Sequence, residues 1–172
     1  MPICLIVVLN LLSALDLDGD QRTLWMFNVH TREELRGRPF SQAGLPDPIR
    51  WAQWNHFFRS WRTKEQHTVS PRLLRVLAQI QSHFGKRRIE LVSGFRRPRD
   101  GEAPHSYHQL GSAADIRIPE VATRDLHNFC LTFDRVGCGY YERGWVHVDV
   151  RSRNSIWSDD GPDSTVTTSQ WR

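Results

Sequence analysis

Five residues between positions 105 and 149 combine imidazole and carboxylate groups in a way that suits metal chemistry: His105, His108, Asp115, His147 and Asp149. Hydrolytic zinc usually takes three such protein ligands and keeps a fourth position for water, whose pKa falls toward about 7. His108, Asp115 and His147 could form this set, because Asp115 is close enough in sequence to return to the ion that His108 binds. The pattern predicts a Zn²⁺ site.

The string HSYHQLGSAAD makes this prediction more specific than the spacing alone. It places small residues, Gly111 and Ala113, between His108 and Asp115. Small residues allow a tight turn and the close packing of a strand behind a metal. A lone histidine in a loop is more often a solvated surface group, and that interpretation is given to the remaining five: His30, His56, His67, His83 and His127.

Strands and helices that could position these residues are predicted from the apolar periodicity and from turn signals. Ser70 is the predicted N-cap, Pro71 the first position and Gly85 the terminator of the clearest helix. The predicted strands are 23–30, 89–92, 113–118, 138–141 and 145–150, and the predicted helices are 46–61, 71–84 and 122–133. The last two strands form a hairpin that turns at 142–144. The fold class is therefore α+β.

Composition limits what kind of protein this chain can be. Its 172 residues suit one domain, and 39% hydrophobic with 24% charged residues excludes a disordered chain, a collagen-like fibre and a multispan membrane protein. The net charge of +4 suits an anionic partner without identifying it. Three cysteines are too few for a disulfide scaffold or an all-cysteine zinc ribbon, and spacing alone does not decide whether Cys130 and Cys138 pair.

The N-terminal segment is apolar from residue 3 to residue 12 except for Asn10. This length fits the core of an export signal and falls short of the roughly 18 residues of a membrane span. Because no basic residue precedes the run, a buried strand and a misassigned start are the alternatives. Beyond Asn154 the polar composition predicts a flexible tail.

Three longer motifs carry a resemblance to a known family. They are SGFRRP at 93–98, HSYHQLGSAADIRIPEV at 105–121 and VGCGYYERGWVHVDVR at 136–151, with looser similarity back to residue 24. The chain resembles the zinc peptidases of the D-Ala-D-Ala metallopeptidase and hedgehog superfamily, most closely the murein endopeptidase K branch. The resemblance implies a small antiparallel sheet with helices packed against it and zinc on the sheet face. Its metal ligands fall on His108, Asp115 and His147.

The resemblance also implies roles for neighbouring residues. Arg96 would hold the substrate or stabilise the oxyanion, and an arginine that tethers its loop is the less favoured alternative. Ser106 would contact the substrate, although a turn cap looks the same, and His105 would be a further donor near the ligands.

The general base is less defined, because several relatives carry an acid three residues before the last histidine ligand and this chain has Gly144 there. Asp149 is slightly favoured over Glu142, which lies on the predicted hairpin turn. On a strand, Asp149 shares a face with His147, so orienting that imidazole is the alternative role for it.

The implied function is a zinc-dependent endopeptidase that hydrolyses peptide cross-links of the bacterial cell wall. A carboxypeptidase acting on stem-peptide ends is one alternative. A non-catalytic zinc-binding interaction module, favoured by Gly144, is the other. The expected partner is the peptidoglycan stem peptide, bound by a monomer in the cell envelope or periplasm, with no nucleic acid and no membrane span. Residues 1–22 are the possible export signal, 23–153 the peptidase domain and 154–172 the tail.

Overall fold

A computed structural model describes residues 23–41, 44–45, 47–97 and 106–159 of the chain. Seven strands and three helices occur in these ranges. The strands are β1 (Leu24–Asn28), β2 (Glu34–Gly37), β3 (Ile89–Ser93), β4 (Ala113–Arg117), β5 (Val136–Tyr141), β6 (Trp145–Val150) and β7 (Ser155–Asp159). The helices are α1 (Pro48–Phe57), α2 (Pro71–His83) and α3 (Thr123–Cys130). The predicted α+β class is confirmed.

All seven strands belong to one sheet with the order β2-β1-β3-β4-β6-β5-β7. The expectation of a small antiparallel sheet is wrong, because the β1–β3 and β5–β7 pairs are parallel. A parallel pair needs a crossover connection, and α1 and α2 supply it between β1 and β3. Strand β6 reverses the chain after β5, so β7 runs in the same direction as β5.

One face of the sheet forms the core together with the helices. Cys138 on β5 pairs with Val148 on β6, which in turn pairs with Ala114 on β4, and all three are buried. A disulfide joins Cys138 to Cys130 at the end of α3, so this is the face that the helix covers. The predicted apolar stripe of α2 belongs to the same buried cluster: Leu73, Leu74, Leu77 and Ile80. The opposite face is left to carry polar side chains.

The helix ends follow local signals. Asp47 caps α1, since its carboxylate accepts hydrogen bonds from the backbone N–H groups of Ile49 and Arg50 at 3.1 and 3.2 Å. Ser70 is the N-cap residue of α2 as predicted, although its hydroxyl makes no capping bond, and Gly85 follows the C-cap residue Phe84. The helix predicted over 122–133 is shorter than expected and ends at Cys130.

Two strands are absent from the sequence-based prediction. Strand β2 is a short edge strand with alternately exposed residues, and β7 lies inside the segment predicted to be a flexible tail. Strand β7 is half-buried and pairs with β5, so the tail prediction is wrong for Ser155–Asp159. The N-terminal apolar run, Cys4 and residues 160–172 lie outside the described residues. None of the described helices is long and apolar enough to cross a membrane.

Candidate metal centre

A row of laterally paired residues crosses the sheet on the face opposite the core. Asp115 on β4 pairs with Ser93 on β3 and with His147 on β6. His147 also pairs with Gly139 on β5, which pairs with Trp157 on β7. Because directly paired residues point to the same side of a sheet, Asp115 and His147 are neighbours on this face.

His108 joins them from the turn that precedes β4. This turn contains Gly111, whose φ of 62° is the left-handed conformation that glycine adopts without strain, so the predicted tight turn is confirmed. His108 is 1% exposed, and its Nδ1 is bonded to the carbonyl oxygen of Gly94 at 2.7 Å. A carbonyl can only accept, so Nδ1 carries the proton and Nε2 presents its lone pair to the cluster.

Three ligand atoms meet at short distances. His108 Nε2 lies 3.1 Å from His147 Nδ1 and 3.3 Å from Asp115 Oδ1. The His147 Nδ1 to Asp115 Oδ1 distance is 2.9 Å. Tetrahedral zinc with bonds of about 2.0–2.1 Å holds its ligand atoms about 3.3 Å apart. The donor set and its spacing therefore fit a metal ion, and this cluster could hold one.

Asp115 and His147 stabilise each other's charged forms. Burial works against the charged form of Asp115, but the contacts with His108 and His147 outweigh it and hold the pKa of this carboxyl well below its usual range. Burial also opposes protonation of His147, but the bonds to Asp115 and Asp149 outweigh it and raise the pKa of His147 to about 9. Any metal ion must therefore displace a proton from His147 below that pH.

Asp149 lies behind His147, on the side away from the cluster. Its Oδ2 is 3.1 Å from His147 Nε2, and Arg151 bonds both carboxylate oxygens. The Asp149 side chain is 0% exposed. Burial disfavours its charge, but the bonds to Arg151 and His147 lower the pKa of the Asp149 carboxyl overall. Its contacts are those of a carboxylate that orients an imidazole.

The other predicted site residues occupy varied positions. Glu142 is exposed on the β5–β6 turn, and Arg96 is half-buried after β3. Ser106 Oγ accepts the backbone N–H of His108 at 3.4 Å, which is the contact expected of a turn cap. His105 lies outside the described residues. Gly144 has a φ of 98°, so the turn itself disfavours an acidic side chain at this position.

Two aromatic residues beside the cluster were not identified from the sequence. The ring of Trp157 lies 5.1 Å from that of His147, and its indole N–H donates to the Tyr141 hydroxyl at 3.3 Å. Burial raises the pKa of the Tyr141 hydroxyl, an effect that the Trp157 bond opposes and the Asp115 charge reinforces. The available signal was the VGCGYY string, because glycines at alternate strand positions open one face to a large neighbouring side chain.

Replacing Gly139 by alanine tests this packing. A Cβ at residue 139 would overlap the Trp157 indole, so we expect Gly139→Ala to lower the free energy of unfolding by about 1–3 kcal/mol. Urea denaturation measures the loss. Gly37→Ala on β2 is the matched control, because nothing lies within 4 Å of a Cβ there. Equal midpoints for the two variants would contradict the described position of Trp157.

Comparison with known proteins identifies the family. The family model described as peptidoglycan L,D-endopeptidase MepK, of the M15 peptidases, matches residues 17–155. The curated MepK proteins of Escherichia coli (strain K12) and Shigella flexneri are each 33% identical over 141 residues, which cover 75% of this chain and 76% of theirs. The probable MepK of Haemophilus influenzae is 31% identical over 141 residues, covering 75% of both chains. No solved structure matches. The chain belongs to the MepK family of M15 peptidases.

Proposed function

We propose that this protein is a zinc-dependent peptidoglycan endopeptidase that hydrolyses L,D peptide cross-links of the bacterial cell wall. The observation that carries the proposal is the triangle of His108, Asp115 and His147 ligand atoms, with both histidines buried, in a chain of the MepK family. The L,D preference is taken from the names of the curated relatives. The stem peptide is the proposed partner.

The proposed zinc ligands are His108 Nε2, Asp115 Oδ1 and His147 Nδ1. Two imidazoles and one carboxylate are the ligand types that hydrolytic zinc sites use, and three of them leave room for water. When bound, zinc polarises a carbonyl oxygen and makes water acidic enough to supply a hydroxide nucleophile near neutral pH. The same three atoms lie 2.9–3.3 Å apart, which supports this assignment over a site built from exposed acids.

Asp149 is proposed as a positioning residue. Its bond to His147 Nε2 favours the tautomer in which Nε2 carries the proton and Nδ1 is free to bind metal. Both of its carboxylate oxygens are already engaged by Arg151, which leaves it poorly placed to accept a proton from water. Glu142, exposed on the hairpin turn, is then the proposed general base.

Arg96 is proposed to hold the substrate carbonyl as negative charge develops on it. A guanidinium presents donors in a fixed fork, and loss of one oxyanion donor costs about 10²–10³ in kcat. We expect a loss of this size for Arg96→Ala, measured on purified muropeptide dimers. Arg97→Ala is the matched control, because Arg97 is exposed and pairs with Glu65 at 2.7 Å. Equal rates for the two variants would remove Arg96 from the proposed site.

The cell envelope is the proposed location, and the expected monomeric state is kept as part of the proposal. The Cys130–Cys138 disulfide supports an oxidising compartment, which is where disulfides persist. A wall substrate points to the same place. Because β7 packs on β5, we propose that the peptidase domain extends from residue 23 to residue 159 rather than to 153.

Digestion of intact sacculi followed by mass analysis of the fragments tests the proposed function. We expect the zinc-loaded protein to convert cross-linked dimers into monomers by cleavage at L,D bonds. Cleavage at D,D bonds alone would overturn the L,D assignment. Release of only terminal residues would favour the carboxypeptidase alternative, and no product would contradict the enzyme function.

A further inference from the structure

Tyr141 lies on the same face of the sheet as the cluster of His108, Asp115 and His147. It follows Gly139 by two residues on β5, and Gly139 pairs directly with His147. Tyr141 is thus a diagonal neighbour of His147, a spacing that aromatic side chains bridge. The Asp115 and Asp159 carboxylates and the Arg96 guanidinium all act electrostatically on its hydroxyl. The hydroxyl therefore belongs to the electrostatic surroundings of the cluster.

Two tryptophans hold the Tyr141 ring in place. Trp145 stacks on it, with ring centroids 5.5 Å apart and an interplanar angle of 19°. Trp157 donates its indole N–H to the hydroxyl oxygen at 3.3 Å while also contacting the His147 ring. One indole therefore touches both the tyrosine hydroxyl and a proposed zinc ligand, so these two groups are close.

The direction of the Trp157 bond defines what the hydroxyl can do. An indole N–H is a donor only, so the tyrosine oxygen must accept this bond and its own hydrogen points elsewhere. In the part of the chain that the structure describes, Trp157 is the one hydrogen-bond partner recorded for this hydroxyl. The Tyr141 O–H can therefore donate a hydrogen bond to a group that enters the cluster.

We infer that the Tyr141 hydroxyl donates a hydrogen bond to a peptide carbonyl of the substrate at the His108–Asp115–His147 cluster. Trp157 is then a positioning residue that orients this donor. The inference rests on the proposed endopeptidase function and adds a substrate contact to it. Trp157 lies two residues beyond the matched family segment, which ends at residue 155. The orienting bond therefore comes from the part of β7 that lies beyond that segment.

Tyr141→Phe tests the donor, because it keeps the stacked ring and removes only the hydroxyl. A hydrogen bond to a group that gains charge contributes about 1.5–3 kcal/mol, so we expect kcat for muropeptide dimers to fall about 10- to 100-fold, with KM changed less than about twofold. Tyr140→Phe is the matched control, since Tyr140 lies on the opposite face against His127 and Arg124. It should keep the wild-type rate.

Trp157→Phe tests the orienting role separately, because it retains an aromatic ring without the N–H donor. We expect a smaller fall in kcat, and we expect the double variant with Tyr141→Phe to be no slower than Tyr141→Phe alone. A merely structural tryptophan would lower the rate of both backgrounds equally. Zinc content and the urea midpoint are measured for every variant.

The outcomes separate the inference from the proposed function. An inactive wild-type protein would end the proposed function and this inference with it. An active wild type with an equally active Tyr141→Phe variant would overturn the inference alone. Loss of zinc or of the native fold in Tyr141→Phe would also overturn it, because the tyrosine would then be structural. Reduced kcat with zinc content and midpoint retained supports it.

Discussion

Replacing His108 by alanine is expected to abolish high-affinity zinc binding and to lower kcat/KM for muropeptide hydrolysis by at least about 10³-fold. The side chain is almost fully buried, and its Nε2 is held toward Asp115 and His147 by the bond from Nδ1 to the Gly94 carbonyl. Two remaining ligands make a much weaker site than three. The Lewis-acid contribution of the proposed zinc, several kcal/mol, would then be lost.

His56→Ala is the control for this change. His56 is an exposed histidine on α1 whose side chain contacts Gln66 rather than the cluster. It should retain one zinc per chain and the wild-type rate. Zinc content is measured by elemental analysis after dialysis, and turnover by chromatography of the dimers. A His108→Ala variant that keeps its zinc and its activity would mean that the metal binds elsewhere.

Asp149→Asn is expected to weaken zinc binding by about 10- to 100-fold while leaving most of the activity recoverable at saturating zinc. The carboxylate contacts His147 through the nitrogen that faces away from the cluster, so it acts on the metal only by orienting that ring. The substitution also leaves the Arg151 guanidinium without its carboxylate partner. A lower urea midpoint is therefore expected, since breaking a buried pair costs about 3–5 kcal/mol.

A zinc titration of this variant separates the two roles considered for Asp149. If Asp149 were the general base, activity would stay at least about 10²-fold below wild type however much zinc is added. Glu142→Gln is the companion variant, and it should show the reverse pattern of full zinc affinity and low activity. If Glu142→Gln regained activity at saturating zinc and Asp149→Asn did not, Asp149 rather than Glu142 would be the general base.

The cluster could be predicted from the sequence because two of its three proposed ligands lie in one short motif. The string from His105 to Asp115 contains two of the three proposed ligands and the glycine of their turn, and His147 lies on a clearly alternating strand. Alternation also places Asp149 on the same face as His147. It cannot say which imidazole nitrogen the carboxylate meets, since that depends on side-chain rotation, so the base and the orienting role could not be separated from sequence.

The missed parts depend on long-range pairing. Strand β7 is short and three of its five residues are polar, and it is placed by its pairing with β5 and by the packing of Trp157 over Gly139. The alternating glycines of VGCGYY leave room for a large side chain on one face, but no pattern within β7 itself says that Trp157 occupies it. The parallel pairs of the sheet have the same origin, because the direction of a strand is set by its connections rather than by its composition. The Cys130–Cys138 disulfide likewise required the position of α3 on the sheet.

The proposal that this protein is a zinc-dependent peptidase is tested most directly by restoring zinc. Zinc is returned stepwise to chelator-treated protein, and hydrolysis of a purified L,D-linked muropeptide dimer is measured at each step. We predict that the stripped protein is inactive, that activity rises linearly to a plateau at one zinc per chain, and that His108→Ala stays inactive throughout. Full activity of the stripped wild-type protein, or no activity at any zinc concentration, would contradict the proposed zinc-dependent peptidase function.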